Sequence, residues 1–175
     1  MRRTSTIAVA IGVLLLAGAG SASQEAPAKK PAAQKAPSKH VIVTPDQVKW
    51  GPPPPALPPG SEAAVLEGDP GKAGMFTVRL KMPDGYTIPP HSHPTDERVT
   101  IISGSLMAGM GNKMDEAAMQ ALNTGAYANL PARMNHYVRA KGETIVQVTA
   151  MGPFEVKYAN PSDDPRKKTS PAAKK

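Results

Sequence analysis

Asp84-Gly85-Tyr86-Thr87-Ile88-Pro89-Pro90-His91-Ser92-His93-Pro94-Thr95-Asp96-Glu97 is the stretch on which the rest of the chain depends. It holds two of the four histidines, one residue apart, with a glutamate four residues further on. Side chains on an extended strand repeat with period two, so His91 and His93 share one face and Ser92 takes the other. Glu97 has the same parity. Asp96, the alternative carboxylate, faces away. Pro94 cannot join a central ladder and is expected to bend the strand between the histidines and Glu97. Three ligand-type side chains therefore converge on one patch.

The sequence on both sides of this patch reads as strands. Phe76, Val78, Leu80 and Met82 alternate with Thr77, Arg79 and Lys81, the pattern of a half-buried strand. A short strand is expected at 63–66, ended by Gly68-Asp69-Pro70-Gly71, and a β-prone run at 41–43. Beyond Glu97, strands are expected at 99–102 and 106–110 with a tight turn at Ser103-Gly104-Ser105. Further strands are expected at 126–130, 136–139, 144–150 and 154–158, connected through Gly142 and Gly152-Pro153. The single helix expected is 115–122, rich in Ala, Met, Glu and Gln. Many short strands with Gly/Pro turns predict an all-β antiparallel sandwich or barrel. Trp50 and Gly51-Pro52-Pro53-Pro54-Pro55 read as a stiff polyproline strap laid across the barrel or a neighbouring subunit, with Trp50 as its anchor.

The ends of the chain have a different composition. Arg2 and Arg3, the apolar run 7–17 and the small residues 18–23 form an export signal, expected to span 1–23. The apolar run is short for a membrane span, so none is expected once the signal is removed. Residues 24–40 are an Ala/Pro/Lys linker, 41–161 the folded domain, and 162–175 a basic disordered tail. A periplasmic or secreted location follows from the signal. The sequence contains no cysteine, which excludes a disulfide framework and a lipoprotein anchor. The net charge of +7 belongs to the ends, because 41–165 carries 10 Lys and Arg against 13 Asp and Glu. A domain with a balance of −3 offers no basic face, and nucleic acid is not an expected partner.

The third histidine of the β region, His136, lies about 40 residues further on, after a turn at 131–135. If its strand runs beside that of His91 and His93, the site gains a third imidazole. Three imidazoles and a carboxylate suit iron(II), manganese(II), nickel, copper or zinc, and leave two places on a six-coordinate ion. No second carboxylate or fourth histidine is placed to act as a general base. Eight methionines within the domain admit a copper(I) reading, but flexible filling of a core poor in aromatics is favoured.

The spacing Gly85, His91, His93, Glu97, Gly104 matches at every gap the first motif of the cupin superfamily, which this chain resembles over 41–161. Gly125, Pro131 and His136 match the second motif. Arg133 stands where that motif has Gly, and Ala140 where it has Asn. The first departure predicts a turn with no positive φ at Arg133, that role passing to Asn135. The resemblance, to small exported single-domain bacterial cupins, implies a double-stranded β-helix (jelly roll). It also implies a divalent metal held inside the barrel by His91, His93, Glu97 and His136. The superfamily contains both enzymes and binding proteins, so the fold does not choose a reaction. The expected activity is a dioxygenase-like oxidoreductase on a small oxygen-rich molecule, the alternative a non-catalytic metal or ligand-binding module. Catalytic residues beyond the metal ligands are not identified. Tyr86, Arg133 and Tyr137 are expected at the pocket mouth, Arg133 suiting an anionic substrate. A homodimer is expected, because the strap and a sheet edge both need cover.

Overall fold

A computed structural model describes residues 40–168. The expected export signal, nearly all of the expected linker and the last seven residues lie outside the described residues. Eight strands make up most of the rest. In chain order they are β1 (Glu62–Glu67), β2 (Gly74–Met82), β3 (Thr87–Ser92), β4 (Glu97–Met110), β5 (Gln120–Asn123), β6 (Tyr127–Leu130), β7 (His136–Gly152) and β8 (Lys157–Tyr158). All pairings are antiparallel, in the order β1-β2-β7-β3-β8, with β4 pairing β5, β6 and β7.

The 17-residue strand β7 organises this sheet. Its second half lies between β2 and the first half of β4, and its first half between β3 and the second half of β4. The alternation in β2 sets the register: Phe76 faces Ala150, Val78 faces Val148 and Leu80 faces Val146. The opposite neighbour repeats it, with Val99 beside Val148 and Ile101 beside Val146. These residues, with Leu106, Val138 and Ala140, form one contiguous core, held by apolar burial.

The segments 99–102 and 106–110, expected as two strands around a turn, are one strand. So are 136–139 and 144–150. Gly104 does not reverse the chain; it sits in a bulged stretch where the β4–β7 register shifts twice. Continuous pairing of two long strands satisfies more backbone groups than two separate hairpins would. Gly104 has φ +79°, and a Cβ there would come within 2.3 Å of the Glu143 carbonyl. Gly104→Ala combines a left-handed alanine with a backbone clash and is expected to cost about 3 kcal/mol, measurable by urea unfolding. A loss below about 0.5 kcal/mol would show that the bulge relaxes freely.

The expected helix at 115–122 is not formed. Asp115 accepts from the Ala117 N–H and caps a single 3-10 turn, Glu116–Ala118, after which the chain enters β5. Two turns of isolated helix are marginal, whereas pairing Leu122 against Leu106 covers an edge of β4. The only α-helix among the described residues, α1 (Pro165–Lys168), falls inside the expected tail. The Arg166 guanidinium grips both carboxylate oxygens of Asp164 at 2.8 Å and donates to the Val156 carbonyl, which ties the chain back to the segment before β8. Residues 41–43 form no strand, and Ile42 is 83% exposed. Of the methionines, Met82 is deep in the core and Met107, Met114 and Met119 are half-buried, while Met75, Met110, Met134 and Met151 are exposed, so gap-filling does not explain those four.

The polyproline strap does cross the barrel. Gly51 bridges to Ala63 and Lys81 caps the Trp50 ring at 5.0 Å. Leu57 is buried, the Tyr86 hydroxyl donates to the Pro58 carbonyl, and the Tyr158 hydroxyl donates to the Ala56 carbonyl at 2.8 Å. Burial, and next the neighbouring Tyr86, pushes the Tyr158 phenol well above its ordinary range, which keeps it a donor.

Candidate metal centre

The two motif segments meet where β3 and β7 pair. His91 lies directly opposite His136 in that register, so the two imidazoles share one inward face. His93 follows the end of β3, and Glu97 is the first residue of β4. Two hydrogen bonds tie the intervening turn to the 131–135 turn: Arg133 N–H donates to the His93 carbonyl at 2.8 Å, and Ala132 N–H donates to Asp96 at 2.9 Å. Asp96 is therefore a turn brace facing away from the cluster, as its parity requires.

All three histidines are buried, and their ligand-type atoms lie within 4.8 Å of one another. Glu97 Oε2 is 3.4 Å from His93 Nε2 and 3.3 Å from His136 Nε2. Each ring is oriented through its other nitrogen. His91 Nδ1 donates to the Pro89 carbonyl at 2.7 Å, His93 Nδ1 to the Glu155 carbonyl at 2.7 Å, and His136 Nδ1 to the Met134 carbonyl at 3.1 Å. A carbonyl only accepts, so each Nδ1 carries the proton, and a neutral ring turns its Nε2 lone pair toward the other ligands. His93 Nε2 is a buried atom with no hydrogen-bond partner. Three lone pairs and a carboxylate facing one another are a donor set that a divalent cation would balance. The donor set fits such an ion.

Phe154 adds a support that no motif announces. Its ring stacks on His93 at 4.1 Å and 16°, and meets Phe76 edge-on at 5.2 Å. Neither the stack nor the Glu155 carbonyl was legible in the sequence, because residue 93 and residues 154–155 are joined only through the fold. Both tyrosines expected at the pocket mouth are structural. Tyr86 holds the strap, and the fully buried Tyr137 hydroxyl bonds the Asp115 backbone.

Arg133 corrects the expectation for its turn. It has φ +62° and is the one non-glycine residue with positive φ among those described, so Asn135 does not take that role. The backbone keeps the left-handed conformation where the motif has glycine, because the Arg133–His93 hydrogen bond and the Asp96 brace define it. Arg133→Gly relieves that conformation and, less the extra freedom gained by the unfolded chain, is expected to stabilise the protein by about 0.5–1 kcal/mol. Chemical denaturation measures this, and a destabilised variant would refute the strain.

The electrostatics of the cluster set its pH behaviour. Burial foremost, then the neighbouring His136 and His93 imidazoles, pushes His91 down to about 3. Burial alone would raise Glu97, but hydrogen bonding from His136 and His93, in the state where an Nε2 carries a proton, outweighs it and holds the carboxyl well below the usual range. For His91 the unfolded chain takes up a proton below pH 6.5 that the folded chain refuses until pH nears 3. Stability therefore falls with pH across that window, by about 1.4 kcal/mol per unit from this group. Glu97 acts in the same direction below its ordinary pKa. The metal-free protein is expected to lose about 2 kcal/mol between pH 7 and pH 5; equal urea midpoints at the two values would contradict it.

The barrel interior beside the cluster is a cavity of about 40 Å³, walled by His91, Glu97, His136 and otherwise aliphatic side chains from Leu80 to Val148. Outside the cluster lies an open cleft of about 550 Å³, with His93 in its wall.

Solved structures similar to this chain are cupins. The polyketide cyclase RemF from Streptomyces resistomycificus is 19% identical, covering 75% of this chain and 93% of its own, with a TM-score of 0.58. An acetylacetone dioxygenase from Acinetobacter johnsonii is 15% identical, covering 72% and 82%, with a TM-score of 0.56. An RmlC-like cupin from Shewanella frigidimarina NCIMB 400 is 13% identical, covering 65% and 91%, with a TM-score of 0.51. At these identities the likeness shows the fold, a cupin barrel, as the first motif implied. No curated protein matches the chain. The family model of a domain of unknown function, DUF4437, matches residues 22–173, and the chain, a cupin with a buried cluster of three histidines and Glu97, belongs to that family.

Proposed function

We infer that this protein is an exported cupin that holds one divalent ion through His91, His93, His136 and Glu97 and uses it for oxidative chemistry on a small oxygen-rich molecule. The observation that carries the reading is the convergence of four metal-type acceptors at the end of an otherwise aliphatic cavity. A bound ion supplies Lewis acidity or, as iron(II), the means to engage dioxygen. The chain contributes the rest. The three Nδ1 hydrogen bonds fix the rings in the ligating tautomer, Glu97 supplies negative charge, and the aliphatic wall excludes water. Apart from the ligands, no residue lining the inner cavity is titratable. Such a site has no proton relay on its inner side, which supports redox over general acid–base chemistry. A dioxygenase sharing the fold makes β-dicarbonyls a reasonable first class to screen.

Elemental analysis of the protein from its native compartment, followed by oxygen uptake with a panel of small dicarbonyls and hydroxy acids, tests this. About one metal ion per chain and substrate-linked uptake are expected, with both lost in His136→Ala. Metal-free protein would end the metal reading. The size of the inner cavity favours one alternative, a module that binds metal without turnover. Full metal occupancy with no uptake across iron and manganese forms would select it.

A further inference from the structure

We propose that the open cleft beside His93 binds a small organic monocarboxylate at the edge of the cluster; this rests on the cluster being a metal centre. The inner cavity, about 40 Å³, has room for a few water molecules and is well below the roughly 150 Å³ that takes up a benzene-sized body. The cleft, about 550 Å³, lies in the range of small-molecule sites. His93 joins the cluster to the cleft: its Nε2 faces Glu97, and the residue lines the cleft.

Charge sets the ligand class. Arg133 and Lys157 line the cleft, and Glu155 is its only carboxylate, leaving a balance of one positive charge. Neither Arg133 nor Lys157 takes part in any of the described ion pairs. Two cations against one anion suit a single carboxylate better than a dianion, and Ser92 and Asn135 offer neutral hydrogen bonds beside them. The backbone supplies an independent reason. Arg133 occupies a left-handed position where glycine would be free of strain. Conformational strain of this kind collects where a side chain is needed, and the Arg133 side chain is what glycine would lack. The arginine's planar fork suits a carboxylate, with Lys157 as a second, mobile charge.

The test is titration of the zinc-loaded full chain with pyruvate, a monocarboxylate with an adjacent carbonyl oxygen. Acetone and inorganic phosphate serve as the neutral and dianionic references. Pyruvate is expected to bind at least about tenfold more tightly than either reference. Arg133→Gly and Lys157→Met should each weaken it by about tenfold, the size of one charged hydrogen bond. Both variants should keep the wild-type zinc content, and Arg133→Gly should melt no lower than wild type, separating lost binding from lost structure. Unchanged pyruvate affinity in both variants, or tighter binding of phosphate, overturns the proposal. Zinc content is read separately: a zinc-bearing protein indifferent to pyruvate sinks this inference alone, and one that retains no divalent ion sinks the metal reading with it.

Discussion

His136→Ala is expected to weaken divalent-metal binding by at least about 100-fold. Losing an outer hydrogen-bond partner of a ligand typically costs 10–100-fold, and this substitution removes a ligand itself. It also takes away one of the two imidazoles within 3.4 Å of Glu97 Oε2 and leaves space at the buried register position opposite His91. Competition against a chelator of known affinity measures the loss. His40→Ala is the matched control, since His40 is exposed and outside the cluster, and it should bind like wild type. Equal affinities for the two variants would mean that His136 is a core histidine and that the ion, if any, sits elsewhere.

Chelation is expected to have the largest effect on stability. An ion that binds the folded chain alone contributes about 4 kcal/mol when its free concentration is about 1,000 times its dissociation constant. For a folded body of this size that corresponds to a fall of about 15 °C in melting temperature when EDTA is added. The direction follows from the cluster, where three lone pairs and a carboxylate face one another in a buried space and only a cation relieves them. In Glu97→Gln an amide can donate to an imidazole Nε2 without added charge. That variant should melt close to wild type in EDTA, yet gain little on adding metal. A wild-type melting temperature indifferent to both EDTA and added metal would rule out an ion-binding role for the cluster.

Most of the candidate site could be read from the chain, and the reason is periodicity. A strand repeats every two residues, so His-x-His must present both imidazoles on one face wherever the strand lies. Local reading failed where two conformations were close in energy and distant pairing decided between them. Residues 115–122 have helix-forming composition, yet the free edge of β4 draws Leu122 into a strand. Gly104 marks a turn by composition, and the pairing of β4 along β7 on both sides of it turns it into a bulge instead. At Arg133 the side chain argued against positive φ, but the hydrogen bond to His93 and the Asp96 brace hold the backbone there.

The sequence by itself determined the pairing of His91 and His93 on one face, the β-rich body and the apolar alternation that closes the barrel, since each depends on spacing along a single strand. Only the tertiary structure decided that His136 lies opposite His91, that Phe154 and the Glu155 carbonyl hold His93, and that the space beside the cluster is small within and wide outside. Those facts depend on segments brought together from residues 45–62 positions apart, and no local pattern encodes such distances.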